Sequence, residues 1–283
     1  MDRRLSRGRL VLVGTPLGNR EDLSPRARRT LLEADLLLCE DTRSPVRLLG
    51  ESRGLPPRLS CFTGNEASRV GRLLEALAAG ETVAYVSEAG LPLWSDPGER
   101  LVAAAVAAGY DVDVVPGPTA AATALCLSGM PAKGARFVGF LPRRGAARRE
   151  DLAEIAGSAG ASVIYEAGNR VSALLADLVR VIPDAATRDV VIGRELTKRH
   201  QEILRGSLSM LSSALTESLR GEVTLVVAAA PERPGDDATV AARATLDAML
   251  EPDLRPRERA RRLAELTGLD ANVIYARLHS NPD

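Results

Sequence analysis

The chain has 283 residues, and its 37 Lys and Arg residues balance its 37 Asp and Glu residues, so the formal net charge is zero. This balance argues against a polybasic nucleic-acid-binding tail and against a membrane-surface protein. With 45% hydrophobic residues, the chain is long and apolar enough for two ordinary domains, each with its own core. No apolar run reaches the roughly 18–20 residues that a membrane-spanning helix needs.

The N-terminal residues and the cysteines indicate a cytoplasmic protein. Residues 1–9 are Arg-rich, but no apolar segment with a small-residue cleavage site follows them, so we expect no cleaved signal. Cys39, Cys61 and Cys126 are odd in number and lack CxxC spacing, which predicts small buried hydrophobic side chains and not disulfides or zinc ligands. With only two histidines, we expect no metal site and no His-based catalytic triad.

The first part of the chain alternates predicted strands and helices. Short apolar runs predict strands at 10–13, 36–39, 82–86 and 111–115, and helices are predicted at 25–34, around 70–77 and at 98–108. Ser24-Pro25 has the form of a helix N-cap followed by proline at the first helical position. Continuous apolar strands that alternate with helices are typical of a mostly parallel sheet covered on both faces.

Two Pro- and Gly-containing segments divide the chain into three predicted parts. Residues 116–118 (Pro-Gly-Pro) end an N-terminal α/β domain, 1–116, and residues 231–237 follow a C-terminal α/β domain, 117–231. A linker and a small helical tail, 232–283, complete the chain, with helices expected at 255–266 and 270–278. Within the second domain we predict a helix around 171–178 and strands at 137–140, 162–165, 189–193 and 222–228. The fold class is therefore α/β, with two α/β/α domains and mostly parallel sheets.

Five loops rich in Gly, Pro and short polar residues follow predicted strands, and they predict a binding cleft between the two domains. In open α/β sheets, ligands bind where such loops converge at the carboxyl ends of the strands. The loops cover residues 14–19, 40–43, 87–98, 116–120 and 166–170. The sequence contains no GxxxxGK[ST] motif and no GxGxxG after the first strand, which argues against a P-loop NTPase and a Rossmann dehydrogenase.

These loops, in this order, resemble the tetrapyrrole-methylase superfamily. The matching segments are Val13–Asn19, Glu40–Arg43, Ser87–Gly98, Pro116–Ala120, Phe140–Arg144, Tyr165-Glu166 with Arg170, Glu195–Lys198 with Arg205-Gly206, and Ala264–Leu269 with Val273 and Tyr275. Within the superfamily they are similar to the branch that 2′-O-methylates a cytidine in the decoding centre of small-subunit (16S) ribosomal RNA. The resemblance extends from about residue 9 to residue 279.

The resemblance implies that S-adenosylmethionine binds in the cleft between the two α/β domains, without a metal. Small residues in the 87–95 loop would allow close backbone approach, and the helix start at Thr119 would offer N–H groups. The implied cofactor-binding residues are Ser87, Glu88, Ala89, Gly90, Leu93, Ser95, Thr119, Ala120, Tyr165, Glu166 and Leu196. The alternative for each loop taken alone is ordinary turn chemistry.

Methyl transfer to a ribose hydroxyl needs a group that takes up the hydroxyl proton. The sulfonium is already a good leaving group, so positioning and a nearby base supply the remaining catalysis. The candidate catalytic residues are Asp41, Glu40, Glu66 and Lys198. A strand-end carboxylate that caps the following helix is the structural alternative for Asp41.

One Arg-rich segment, residues 136–149, predicts contact with RNA phosphates. It contains five arginines and no acid, a net charge of +5, and Gly145-Ala146-Ala147 suggests a mobile loop. Few aromatic residues are available for base stacking, so we expect recognition of backbone and shape. The candidate substrate-binding residues are Asn19, Arg43, Asn65, Arg143, Arg144 and Arg148. The expected partner is 16S rRNA within the small ribosomal subunit, and the resemblance implies a homodimer.

Three departures from the family pattern leave other acceptors open. Glu88 and Leu91 replace the usual Asp and Thr, while residues 62–64 and Asn169 replace segments in which relatives carry histidine. A diverged paralogue that methylates a tetrapyrrole, another small molecule or a protein is one alternative. A non-catalytic ribosome-binding homologue is the other.

Overall fold

The computed structural model describes residues 8–50, 54–231, 255–267 and 270–279. Contacts between residues divide the chain into two compact units, Met1–Ala230 and Pro231–Asp283. Among the described residues, no helix is long and apolar enough to cross a membrane.

The first sheet is parallel throughout and has the strand order β3-β2-β4-β1-β5. Its strands are β1 (Arg9–Val13), β2 (Leu36–Cys39), β3 (Arg58–Ser60), β4 (Thr82–Val86) and β5 (Asp111–Val115). The sequence predicted every one of these strands except β3, which is an edge strand of three residues and too short to show a hydrophobic pattern.

Four helices cover both faces of this sheet: α1 (Pro25–Glu33), α2 (Ser44–Leu49), α3 (Glu66–Ala78) and α4 (Glu99–Ala107). Leu73 and Leu101 lie in the core on one face, and Leu31 and Leu49 lie in the core on the other. The Ser24 hydroxyl accepts a hydrogen bond from the Ala27 N–H and caps α1 as the sequence predicted. Helix α2 was not predicted, because six residues give too little periodicity.

The second sheet has the strand order β6-β7-β10-β8-β9 and is mixed, so the prediction of a mostly parallel sheet is wrong here. Its strands are β6 (Arg136–Phe140), β7 (Ser162–Ala167), β8 (Asp189–Arg194), β9 (Glu202–Ser207) and β10 (Glu222–Val227). Only β6 and β7 pair in parallel, while β10 is inserted antiparallel between β7 and β8. A short loop joins β8 to β9 as a hairpin, a connection that only antiparallel strands allow.

Helices also cover both faces of the second sheet: α5 (Ala120–Ser128), α6 (Ala146–Gly157), α7 (Val171–Val181) and α8 (Leu208–Ala214). Helix α7 buries Val171, Leu174, Leu175 and Leu178, the apolar face that the sequence predicted. Leu152 of α6 and Leu211 of α8 join the same core, and α5 packs on the opposite face through Ala121.

Two sequence expectations are corrected by these elements. Residues 136–149 are not a mobile loop, because β6 and the start of α6 occupy most of the segment and leave only residues 141–145 between them. Cys39 and Cys61 are buried as expected, but Cys126 is exposed on α5. Helix α5 is apolar on most of its surface, so its pattern does not indicate which residues face the core.

The C-terminal unit contains the two expected helices, α9 (Pro256–Thr267) and α10 (Ala271–His279). They pack together; Ala260 and Leu263 are buried, and the Arg257 guanidinium lies 5.8 Å from the centre of the Tyr275 ring. The predicted linker beyond Pro231, and the turn at residues 268–269, lie outside the described residues.

Candidate functional site

A cavity of about 310 Å³ lies where the carboxyl ends of the two sheets face each other within the first unit. Loops after β1, β2, β4 and β5 contribute to it, together with the carboxyl ends of β6 and β7 and the amino-terminal end of the antiparallel β10. The lining residues are Leu17, Glu40, Glu88, Ala89, Gly90, Leu91, Trp94, Ser95, Asp96, Thr119, Ala120, Phe140, Tyr165, Glu166, Ala167, Gly221, Glu222, Val223 and Thr224. Its size is within the range of small-molecule sites.

Most of the predicted cofactor-binding residues line this cavity. The lining includes Glu88, Ala89, Gly90, Ser95, Thr119, Ala120, Tyr165 and Glu166. The other three of that set, Ser87, Leu93 and Leu196, are not part of the lining. Ser87 and Leu196 are buried, and Leu196 belongs to the core between α5 and the second sheet.

Backbone contacts between loops hold one wall of the cavity in place. The Thr15 and Gly90 N–H groups each donate to the carbonyl of the other residue, at 2.8 and 3.1 Å. Gly90 has φ +78°, and Gly14 packs backbone to backbone on Gly117, where a Cβ on Gly14 would lie 2.6 Å from the Gly117 nitrogen. A side chain at Gly14 or Gly117 would therefore separate the loops that follow β1 and β5.

The cavity is lined by five carboxyl groups, which makes it acidic. Burial raises the pKa of Asp96 to about 6, a hydrogen bond from the Ser87 hydroxyl opposes that change, and Glu40, Glu88 and Glu222 raise it further. Burial also raises the pKa of Glu40, against a hydrogen bond from the Glu88 N–H. Such a lining favours a ligand that carries positive charge, because a cation relieves the repulsion between the carboxylates.

Glu166 is the most deeply buried of these carboxyl groups, with 2% of its surface exposed. Its Oε1 accepts a hydrogen bond from the Ala167 N–H at 2.9 Å and lies 3.3 Å from the Arg170 Nε. Its Oε2 has no hydrogen-bond partner among the described residues. A buried acceptor without a partner is costly, so a ligand that donates a hydrogen bond in the cavity would stabilise this side chain.

The first turn of α5 faces the same cavity. The Thr119 hydroxyl accepts a hydrogen bond from the Ala122 N–H at 3.2 Å, and the Tyr165 hydroxyl accepts one from the Ala121 N–H at 3.0 Å. Tyr165 therefore ties the loop after β5 to β7, and the two sheets share this wall of the cavity.

Of the four predicted catalytic residues, only Glu40 lines the cavity. Hydrogen bonds from the Arg43 side chain and N–H lower the pKa of Asp41 to about 2, and Arg47 also contacts it. A carboxylate with so low a pKa is a weak proton acceptor at neutral pH. The structure therefore favours the alternative in which Asp41 is a strand-end carboxylate that stabilises the start of α2.

Glu66 and Lys198 also make interactions that oppose a role as base. The Glu66 Oε1 accepts hydrogen bonds from the Gly98 and Arg100 N–H groups at 3.1 and 2.7 Å, so this buried carboxylate caps α4. Lys198 donates to Glu195 and Glu222 at 2.9 and 3.0 Å. Burial lowers the pKa of Lys198, but these two hydrogen bonds outweigh it and raise the pKa overall.

The predicted substrate-binding residues lie outside the cavity, and several are bound within the protein. Asn65 accepts a hydrogen bond from the Phe62 N–H and donates one to the Ser60 carbonyl. The Asn19 N–H donates to the Thr197 hydroxyl, which connects the loop after β1 to the loop after β8. Arg43 holds Asp41, with most of its own side chain exposed.

The arginines of residues 136–149 divide into two groups. Arg136 pairs with Glu154 at 2.6 Å, and Arg148 pairs with Asp177 at 2.7 Å and donates to the Pro142 carbonyl. Arg143 and Arg144, in the loop between β6 and α6, and Arg149, on α6, are exposed. The segment therefore supplies less free positive charge than its composition indicates.

Ten of the nineteen lining residues are not among the predicted site residues, and four of them have aromatic or acidic side chains: Trp94, Asp96, Phe140 and Glu222. Asp96 and Trp94 lie in the 87–98 loop that was singled out, and Phe140 ends a predicted strand. The loop position was therefore the available signal for three of them. Glu222 gave no such signal, because it begins a strand whose direction the sequence pattern did not reveal.

The fold and the site together define an α/β protein with an acidic small-molecule cavity between two helix-covered sheets. The chain belongs to the family of Tetrapyrrole (Corrin/Porphyrin) Methylases, which matches residues 9–212. This membership confirms the expected enzyme class and its methyl donor: the protein is an S-adenosylmethionine-dependent methyltransferase.

Two bacterial relatives with the same name match most of the chain in sequence. Ribosomal RNA small subunit methyltransferase I of Mycobacterium bovis is 46% identical over 231 residues, which span 80% of this chain and 79% of the relative. The protein of the same name from Micromonospora olivasterospora is 42% identical over 272 residues, 95% of this chain and 85% of its own. The structure of uroporphyrin-III C-methyl transferase from Thermus thermophilus complexed with S-adenyl homocysteine has a TM-score of 0.57 at 23% identity and covers 77% of this chain and 97% of its own.

Proposed function

We propose that this protein transfers the methyl group of S-adenosylmethionine to the ribose 2′-hydroxyl of a cytidine in 16S rRNA. The observation that carries the proposal is the cavity lined by carboxyl groups at the joined ends of the two sheets, in a chain whose relatives are named rRNA methyltransferases. The partner is 16S rRNA, within the small ribosomal subunit, in the cytoplasm. The homodimer stays a prediction from the family resemblance.

The residues of the cavity fit the methyl donor. S-adenosylmethionine, when bound, supplies an electrophilic methyl group on a positively charged sulfonium. Glu40, Glu88 and Asp96 provide negative charge for this cation, and the Oε2 of Glu166 provides an acceptor for one of the donor groups of the ligand. The small residues Ala89 and Gly90 allow the cofactor to approach the backbone of the 87–95 loop closely, as predicted from the sequence.

The hydroxyl that is methylated must lose a proton, and Asp96 is our first candidate for the base among the carboxyl groups of the lining. A base is most effective when its pKa lies near the working pH, and burial and the neighbouring carboxylates raise the pKa of Asp96 to about 6. Glu40 lines the same cavity and keeps its predicted role as the second candidate.

A second acceptor is supported by one specific observation. The family resemblance leads us to expect histidine at residues 62–64 and at position 169, and this chain has none there. The alternative is therefore methylation of a small molecule, such as a tetrapyrrole, or of a protein by the same cavity.

One experiment separates these functions. Small ribosomal subunits from a strain that lacks the gene are incubated with the purified protein and S-adenosylmethionine, and ribose methyl groups on the rRNA are mapped. We expect one new 2′-O-methyl group on a cytidine. Transfer to an added tetrapyrrole but not to rRNA would support the alternative, and failure to bind S-adenosylmethionine in a calorimeter would exclude both enzymatic functions.

A further inference from the structure

Half of the aromatic residues of this aromatic-poor chain gather at the cavity. The chain has eight Phe, Tyr and Trp residues. The Trp94 ring stacks on Phe137 with 4.9 Å between ring centres, and Tyr165 meets Phe137 edge-on, also at 4.9 Å. Phe140 meets Tyr165 edge-on at 5.6 Å. We call Trp94, Phe137, Phe140 and Tyr165 the aromatic cluster.

The two outer rings of the aromatic cluster are open to solvent. Trp94 is 44% exposed and Phe140 is 58% exposed, although both also line the cavity. Exposed aromatic surface of this size costs stability when it contacts only water. Rings that are held partly in and partly out of a cavity are suited to stack on a flat ligand at its rim.

Unusual backbone conformations hold the rings of the aromatic cluster in place. Leu93 and Ser95, which flank Trp94, have φ values of +72° and +71°, a region that residues other than glycine rarely occupy. On β6, pairing with β7 shifts register between Phe137 and Gly139, and this bulge lets Phe137 and Phe140 both reach Tyr165. The strained backbone on both sides of Trp94 and the bulge in β6 therefore set the positions of these aromatic side chains.

Positive charge follows the aromatic cluster directly along the chain. Arg143 and Arg144 lie three and four residues after Phe140, and both are exposed. Among the described residues, neither guanidinium has an ion-pair partner within 4.0 Å, in contrast to Arg136 and Arg148. An exposed aromatic face next to unpaired arginines is the combination that binds an unpaired base together with its phosphate.

We propose that Trp94 and Phe140 stack on one unpaired nucleobase of the RNA substrate, while Arg143 and Arg144 bind the adjoining phosphates. This inference rests on the proposed function and adds the way in which the target segment is held. The cavity lining carries the carboxyl groups and suits the cationic methyl donor, whereas Trp94 and Phe140 are exposed at its rim and the two exposed arginines follow Phe140 in the chain. An RNA segment held at that rim presents its ribose to the cavity and keeps its phosphates away from Glu40, Glu88 and Asp96.

Trp94 is the single tryptophan of the chain, so it reports directly on its own contacts. The full-length protein, saturated with S-adenosylhomocysteine, is titrated with a short cytidine-rich oligoribonucleotide while tryptophan fluorescence is recorded. We expect the oligonucleotide to quench Trp94, since a stacked base contacts the indole. Quenching by S-adenosylhomocysteine alone, with no further change on adding RNA, would show that the rings hold the adenine of the cofactor and would overturn the proposal.

Variants test the contribution of each ring to RNA affinity, measured by fluorescence anisotropy of a labelled oligonucleotide. Loss of one stacked ring in Phe140→Leu or Trp94→Leu should weaken RNA binding about tenfold, and Trp94→Phe should recover most of it. Phe62→Leu is the matched control, because Phe62 is 45% exposed and lies outside the cavity lining. Its RNA affinity should equal that of the native protein.

The outcomes distinguish this inference from the proposed function. In each ring variant, calorimetry should show a smaller change in the affinity for S-adenosylmethionine than in the affinity for RNA, and saturable cofactor binding also shows that the variant is folded. If the native protein methylates rRNA and Phe140→Leu and Trp94→Leu bind RNA as tightly as Phe62→Leu, the stacking proposal is wrong and the proposed function stands. If RNA quenches Trp94 but no rRNA is methylated, the stacking site stands and the proposed function is wrong.

Discussion

The substitution Asp96→Asn separates what this cavity carboxyl group contributes to activity from what it costs in stability. Asparagine keeps the size of the side chain and an oxygen that can accept a hydrogen bond, but it cannot take up a proton. Burial, together with Glu40, Glu88 and Glu222, raises the pKa of Asp96 to about 6. In the unfolded chain the pKa of an aspartic acid is about 3.9. The native state therefore binds this proton more tightly, and ionisation of Asp96 destabilises the fold.

The pKa difference sets the size and the pH dependence of the effect. About two pKa units correspond to about 3 kcal/mol at pH 8, which is an upper limit because Asp96 is partly exposed. We expect Asp96→Asn to raise the free energy of unfolding by about 1–3 kcal/mol at pH 8 in a urea titration. The gain should shrink as the pH falls through 6 towards 4, because the native aspartic acid then becomes protonated and neutral like asparagine.

The same substitution should reduce methyl transfer by about 10²–10⁴-fold, the usual contribution of a general base. In the native protein, the single-turnover rate should fall about tenfold between pH 7 and pH 5, as a pKa of about 6 requires. Asp111→Asn is the matched control, because Asp111 is exposed at the amino-terminal end of β5, away from the cavity. It should leave the rate and its pH dependence unchanged.

Two results would refute this reasoning. An Asp96→Asn protein that transfers methyl groups at the native rate would remove Asp96 from the mechanism. A variant that is less stable than the native protein at pH 8 would show that the carboxylate is stabilised in the fold, in conflict with its raised pKa.

Three further predictions concern the fold around the site. Glu66→Ala should lower the free energy of unfolding by about 2–4 kcal/mol in a urea titration, because two N–H groups of α4 lose their acceptor. Gly14→Ala should lower the free energy of unfolding by about 1–3 kcal/mol, because the new Cβ would collide with Gly117. Gly71→Ala on α3, where the new Cβ would meet open space, should raise the free energy of unfolding by about 0.5–1 kcal/mol. A thiol reagent at pH 8 should label Cys126 and spare Cys39 and Cys61, because burial raises the pKa values of these two thiols. Mass spectrometry measures the labelling, and equal labelling of all three cysteines would contradict the prediction.

The sequence predicted the secondary structure best where a pattern is local and repeated. Strands β2, β4 and β5 have the predicted bounds, because each is a short apolar run between turn residues. The mixed order of the second sheet was missed, since β10 carries the same apolar pattern whether it runs parallel or antiparallel. Strand direction depends on which strand it pairs with, and that partner is distant in the chain.

The sequence by itself determined the alternation of strands and helices, the loops that form the site, and the family to which the chain belongs. Only the tertiary structure decided which side chains of those loops face the cavity. The sequence makes Glu66 a plausible base, but in the structure its carboxylate accepts a hydrogen bond from the N–H of Gly98, 32 positions away. Trp94 and Phe137 show no relation along the chain, yet their rings stack. The formal net charge of zero likewise conceals a cavity lined by five carboxyl groups, because local electrostatics depends on distances in space and not on totals along the sequence.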